Sequence, residues 1–143
     1  MKGPFLSVHA RALCHATENV ESVKSAVQNT VGETDFEVTR TSGHHGNEIL
    51  VIEAHLRGGK CGIELLDKLS PSDKDEVLDT LERRMDESCN LFLRVDKQRA
   101  FLGELTLAQN DDAVAIRMKV AAFPAKRETA LRAIRDFLSA AEG

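Results

Sequence analysis

The sequence predicts an α+β fold: a two-layer sandwich in which a mostly antiparallel sheet carries its helices packed on one face. Three observations lead there. Several segments alternate apolar with polar residues, the period of a strand with one buried face. Others repeat apolar residues at three- and four-residue spacing, the period of an amphipathic helix. The two kinds are intermixed without the regular alternation of strand and helix that a parallel sheet needs.

Phe5 to His15 contains few breakers and sets Leu6, Val8, Ala10 and Ala12 against Ser7, His9 and Arg11, so it reads as a half-exposed first strand. Thr17 stands where it can cap a helix with Val20, Val23, Val27 and Val31 along its buried stripe, stopped by Gly32. A second strand, Asp35 to Thr41, centres on Phe36 and Val38. The third, Glu48 to Arg57, turns Leu50, Ile52 and Leu56 to one side and Glu53, His55 and Arg57 to the other. Gly58-Gly59-Lys60-Cys61-Gly62 lacks the spacing and the hydroxyl of a phosphate loop and reads as a turn, followed by a short apolar helix to Leu69.

Ser70 caps the next helix, with Pro71 in its first position and Val77, Leu78, Leu81 and Met85 as its buried stripe. Leu91, Leu93 and Val95 then alternate with Phe92, Arg94 and Asp96, and Phe101, Leu102 and Leu105 resume an apolar run. Asp96-Lys97-Gln98-Arg99 between them reads as the tip of a β-hairpin, a rigid mount for charged side chains. Asn110-Asp111-Asp112 turns into a last strand in which Val114, Ile116, Met118 and Val120 alternate with Arg117 and Lys119. Pro124 opens a final helix whose Leu131, Ile134 and Leu138 face the core.

A chain of 143 residues fits a single domain, 1–143, and buries about two thirds of its unfolded surface. Cys14, Cys61 and Cys89 are odd in number and form no CxxC pair, which argues against a disulfide framework and against structural zinc. No nucleotide-loop, metalloprotease or nucleophile-elbow motif is present, so no cofactor and no metal are expected. The N-terminal apolar run is too short for a signal peptide and no window approaches the ~20 apolar residues of a membrane span, so the expected location is the cytoplasm.

The net charge of −4 conceals an asymmetry: nine acids against four bases from Glu64 to Glu87, but six bases against three acids from Ile116 to Gly143. If the apolar parity of each strand faces the helices, the open face collects His9, Arg11, His55, Arg57, Phe92, Arg94, Arg117 and Lys119, partly offset by Glu37 and Glu53. Phosphates and a stacked base can use such a platform. Internal salt bridges, or a second copy of the chain forming a homodimer, are the other ways to cover it.

Two further stretches carry chemistry. In Thr41-Ser42-Gly43-His44-His45-Gly46-Asn47 two glycines leave two imidazoles free to stack on bases or move protons, while adjacent histidines make a poor metal site. In Phe123-Pro124-Ala125-Lys126-Arg127-Glu128 two cations stand in the first helical turn, where acids are preferred and where a phosphate would be welcome.

Those two stretches, with Leu93 to Gln98, Gly103-Glu104-Leu105 and Cys14-His15-Ala16-Thr17-Glu18, resemble in order a small archaeal family described as a predicted RNA-binding protein or predicted exosome subunit. The resemblance implies a fold similar to the large-subunit ribosomal protein that binds 5S RNA, and a non-enzymatic accessory role in RNA processing or translation, with exosome or ribosomal proteins as partners. The expected RNA contacts are Arg40, His44, His45, Asn47, Arg94, Lys97, Gln98, Arg99, Lys126 and Arg127, together with the open face. Two alternatives stand beside this. A hydrolase or nuclease pairing His44 or His45 with Asp96 needs both loops in one cleft, and an assembly module would bind protein on the sheet face.

Overall fold

The computed structural model describes residues 4–42 and 46–142. Five strands, β1 (Phe5–His15), β2 (Glu37–Ser42), β3 (Glu48–Arg57), β4 (Asn90–Asp96) and β5 (Ala113–Val120), form one sheet in the order β2-β3-β1-β5-β4. Every neighbouring pair is antiparallel. The helices are α1 (Val20–Val31), α2 (Lys60–Lys68), α3 (Pro71–Asp79), α4 (Leu81–Arg84), α5 (Lys97–Phe101) and α6 (Arg127–Glu142). One apolar core joins Val8, Ala10 and Ala12 of β1, Leu91 and Leu93 of β4 and Ile116 and Met118 of β5 to Val27 of α1, Leu65 and Leu66 of α2 and Ile134 and Leu138 of α6. This is the expected α+β sandwich. Among the described residues no helix is long and apolar enough to cross a membrane.

Strand parity holds through β1, β3, β4 and β5 except at Val51, buried although it shares a face with Glu53 and His55, and at the start of β1. The register between β1 and β5 shifts between Phe5 and Ser7, as a bulge does, so Phe5 rather than Leu6 turns inward. Phe5 meets Phe137 edge to face at 6.1 Å between ring centroids. It also occupies the space that side chains at Gly59 and Gly62 would need: a Cβ there would lie 2.6 Å from the Phe5 carbonyl oxygen and 2.7 Å from its ring, respectively. The Gly58–Gly62 run is therefore the packed start of α2, and not only a turn.

Helix boundaries follow their caps. Asn19, not Thr17, precedes the first helical residue, and its side chain accepts the Ser22 N–H at 3.1 Å. Ser70 caps α3 by accepting the Asp73 N–H at 3.1 Å, with Pro71 at the first position as expected. The stripe Val77, Leu81, Met85 is buried as expected, but Thr80 divides it between α3 and α4.

The expected hairpin tip is instead a helix. Asp96 accepts the Arg99 N–H at 2.9 Å and starts α5, and the turn beyond it uses Gly103 at φ 88°. Phe101 and Leu102 are 44% and 71% exposed and form no returning strand. Buried Leu107 makes only an isolated bridge to Val95, and the strand that pairs with β4 is β5. At the other edge β2 is exposed along its whole length, Val38 included. The last helix begins at Arg127, three residues after Pro124.

Candidate nucleic-acid interface

Residues directly opposite in antiparallel strands share a face, so the register reads out the open surface row by row. His55, His9, Arg117 and Phe92 form the central row across β3, β1, β5 and β4. On one side lie Arg57, Ser7, Lys119 and Asn90; on the other lie Glu37, Glu53, Arg11, Ala115 and Arg94. Successive rows are about 7 Å apart, the rise of two strand residues. The eight residues that parity assigned to this face are there together.

The charges on that face are unequally matched. His9 Nε2 lies 2.7 Å from Glu53 Oε2, and the imidazoles of His9 and His55 stand edge to face at 6.1 Å. Arg94 reaches Asp111 at 3.4 Å, and Lys119 donates to the Ser88 carbonyl. Among the described residues, no carboxylate oxygen comes within 4.0 Å of Arg11, Arg57 or Arg117. All three arginines are exposed. Phe92 beside them is 43% exposed, although its strand neighbours Leu91 and Leu93 are buried. The acids Glu37 and Glu53 sit toward the β2 edge, leaving β1, β5 and β4 as the positive part.

The loop residues expected to join this patch behave differently. Lys97 is the clearest correction: its ammonium is 3% exposed, donates to the Leu13 carbonyl at 2.9 Å and lies 2.8 Å from both Glu18 and Asp112. Burial alone would lower the Lys97 pKa, but hydrogen bonds to Asp112 and Glu18 raise it overall. Burial likewise pushes the Asp112 carboxyl up, and hydrogen bonds from Lys97 and Gln98 more than reverse this, so it is held below the usual carboxylate range. Lys97 thus ties α5 to β1 and faces no solvent. Gln98 donates to Asp112 at 3.0 Å and Arg99 pairs with Glu104 at 3.1 Å.

Arg127 is also turned inward. Its guanidinium donates to the carbonyls of Glu82 and Met85, at the C-terminal end of α4, where free carbonyls and the helix dipole favour a cation. That removes the apparent conflict of two cations in one helical first turn, because Lys126 precedes α6 and is exposed. Arg40 lies on the opposite side of the sheet from the arginine rows, level with Leu50, and pairs with Glu48 at 3.5 Å. Asn47 is exposed at the start of β3; His44 and His45 lie outside the described residues.

These groups do not converge. The last described pair of β2 and β3, Ser42 and Glu48, lies at the end of the sheet where His15 closes β1. Lys126 follows β5 at the other end, where Val120 pairs with Phe5. The hydrolase arrangement rests on His44 or His45, which lie outside the described residues; its other member, the Asp96 carboxylate, is engaged in capping α5. No cluster of three or more His, Cys, Asp or Glu among the described residues could hold a metal ion.

A family model described as RNA binding matches residues 7–120. The chain is 33% identical to RNA-binding protein PAB1135 of Pyrococcus abyssi, with 92% of each chain covered. It is also similar to two solved structures of proteins described as DUF54. For AF2318 of Archaeoglobus fulgidus the TM-score is 0.81 at 30% identity, covering 93% of this chain and 99% of that one. For Mth689 of Methanothermobacter thermautotrophicus it is 0.81 at 33% identity, covering 94% and 98%. With the matched region running from the second row of the basic face to the end of β5, the chain belongs to this archaeal RNA-binding protein family.

Proposed function

We propose that the chain binds RNA with the open face of its sheet, as a non-enzymatic accessory protein of RNA processing or translation. One observation carries this reading: Arg11, Arg57 and Arg117 gather on one surface, none with a described carboxylate oxygen within 4.0 Å, in a chain whose net charge is −4. A polyanion gains from a local positive field whatever the net charge, and phosphate contacts supply most of the sequence-independent affinity. Arg94 and Lys119 extend the field, and exposed Lys126 adds to it at the end where β5 finishes. The family description and the name of the Pyrococcus relative support RNA as the polyanion.

The test is binding of a structured RNA by fluorescence anisotropy over a salt series. Affinity should fall as salt rises, and the double variant Arg11→Gln with Arg117→Gln should weaken binding to most RNAs alike and flatten the salt slope by about 1.4 to 1.8, or 0.7 to 0.9 per lost phosphate contact. A salt-independent signal, or no binding at low salt, refutes the proposal. Association with exosome or ribosomal proteins belongs to the same reading; it should appear as co-purification from an archaeal extract that nuclease treatment diminishes.

A further inference from the structure

We infer that the face takes an unpaired stretch of RNA, one base stacking on Phe92 while Arg117 and Arg94 hold the adjoining phosphates; this rests on the RNA-binding reading above. Among the described residues Phe92 is the one phenyl ring on this face, set on the β4 side among Arg117, Arg94 and Lys119, away from Glu37 and Glu53 and from the apolar pair Leu13 and Val51. It points away from the core, 43% exposed, on the edge strand β4. An aromatic ring placed there leaves over two fifths of its surface in water, and offers a flat apolar surface with a guanidinium directly across and another two residues along. Base stacking on such a ring tolerates any sequence, and arginine beside it serves both the phosphate and the base plane.

A fully paired helix cannot use this ring. Its bases are covered above and below by their neighbours, and what it presents to a flat sheet is sugar and phosphate. A duplex would therefore engage the cations alone, whereas an open strand engages the cations and the ring. The row continues from Phe92 through Arg117 to His9 and His55, and imidazoles also stack on bases. From β4 to β3 is three strand spacings, about 14 Å, room for roughly two or three nucleotides. Glu37 and Glu53 bound the track toward β2, so the strand runs over β4, β5 and β1 and ends at His55 of β3.

The chain contains no Trp and no Tyr, so Phe92→Trp introduces a single emitter at the proposed contact. An unstructured ten-nucleotide RNA should quench its emission, and a blunt duplex of the same length should not. Phe92→Leu keeps the fold, because the side chain is outside the core, and should lower affinity for the unstructured RNA by roughly 5- to 150-fold while leaving duplex affinity as it was. Arg117→Gln should weaken both. Undiminished binding of unstructured RNA by Phe92→Leu, or equal quenching by the duplex, overturns the inference and leaves the cationic reading standing. If neither RNA binds at low salt, the cationic reading itself fails.

Discussion

Lys97→Met separates a structural cation from a binding one. The Lys97 ammonium makes three contacts, to the Leu13 carbonyl at 2.9 Å and to Glu18 and Asp112 at 2.8 Å each. Methionine fills a similar volume but leaves two carboxylates facing each other across a site with no cation. Breaking a buried pair by removing one partner costs about 3 to 5 kcal/mol. Here Glu18 and Asp112 retain 23% and 41% exposure and can recover water, so the expected loss is about 2 to 4 kcal/mol. With an m-value near 2 kcal/mol/M, the urea midpoint should fall by about 1 to 2 M.

The pH dependence has a definite sign. Asp112 titrates lower in the folded chain than in the unfolded one, so its stabilisation is full above the ordinary carboxylate value of about 4 and is lost as pH falls below it. The gap between the parent and the Lys97→Met chain should therefore narrow in acid. Lys97 is raised, so its contribution is complete below its ordinary value and fades only as pH rises past it. At a temperature where both proteins are folded, RNA affinity and its salt slope should be equal. A Lys97→Met chain of unchanged stability that binds RNA more weakly would falsify the structural assignment and return Lys97 to the interface.

Three further outcomes are expected. Arg127→Met removes the donors at the end of α4 and should destabilise the fold by about 1 to 2 kcal/mol while leaving the salt slope of RNA binding intact, as anisotropy titration can show. Gly62→Ala brings a methyl to 2.7 Å from the Phe5 ring; overpacking of about 1 to 3 kcal/mol, less up to ~1 kcal/mol of helix propensity, should lower Tm, and an unchanged or higher Tm would show that Phe5 moves freely. Burial, then the charge of Glu64, pushes the Cys61 thiol from 9.0 up to about 11. Its alkylation by iodoacetamide at pH 8 should be about 100-fold slower than that of an ordinary cysteine, as mass spectrometry can follow.

What the sequence could determine by itself was which side of each strand faces the core, because parity is a local property. Alternation from Leu91 to Asp96 and from Val114 to Val120 places Phe92, Arg94, Arg117 and Lys119 outward wherever those strands go, and the caps at Ser70 and Pro71 are equally local. The lapse at Leu6 and Phe5 arose from a bulge, which is a property of a strand pair. Tertiary structure alone decided which cations are available. A lysine in a polar tetrapeptide looks the same whether it meets water or two distant carboxylates, and Lys97 finds Glu18 on the far side of 79 residues. Arg127 likewise finds the end of α4 across a separation of 42. The row His55, His9, Arg117, Phe92 exists only through strand register, which joins residues remote along the chain by hydrogen bonds that no local pattern encodes.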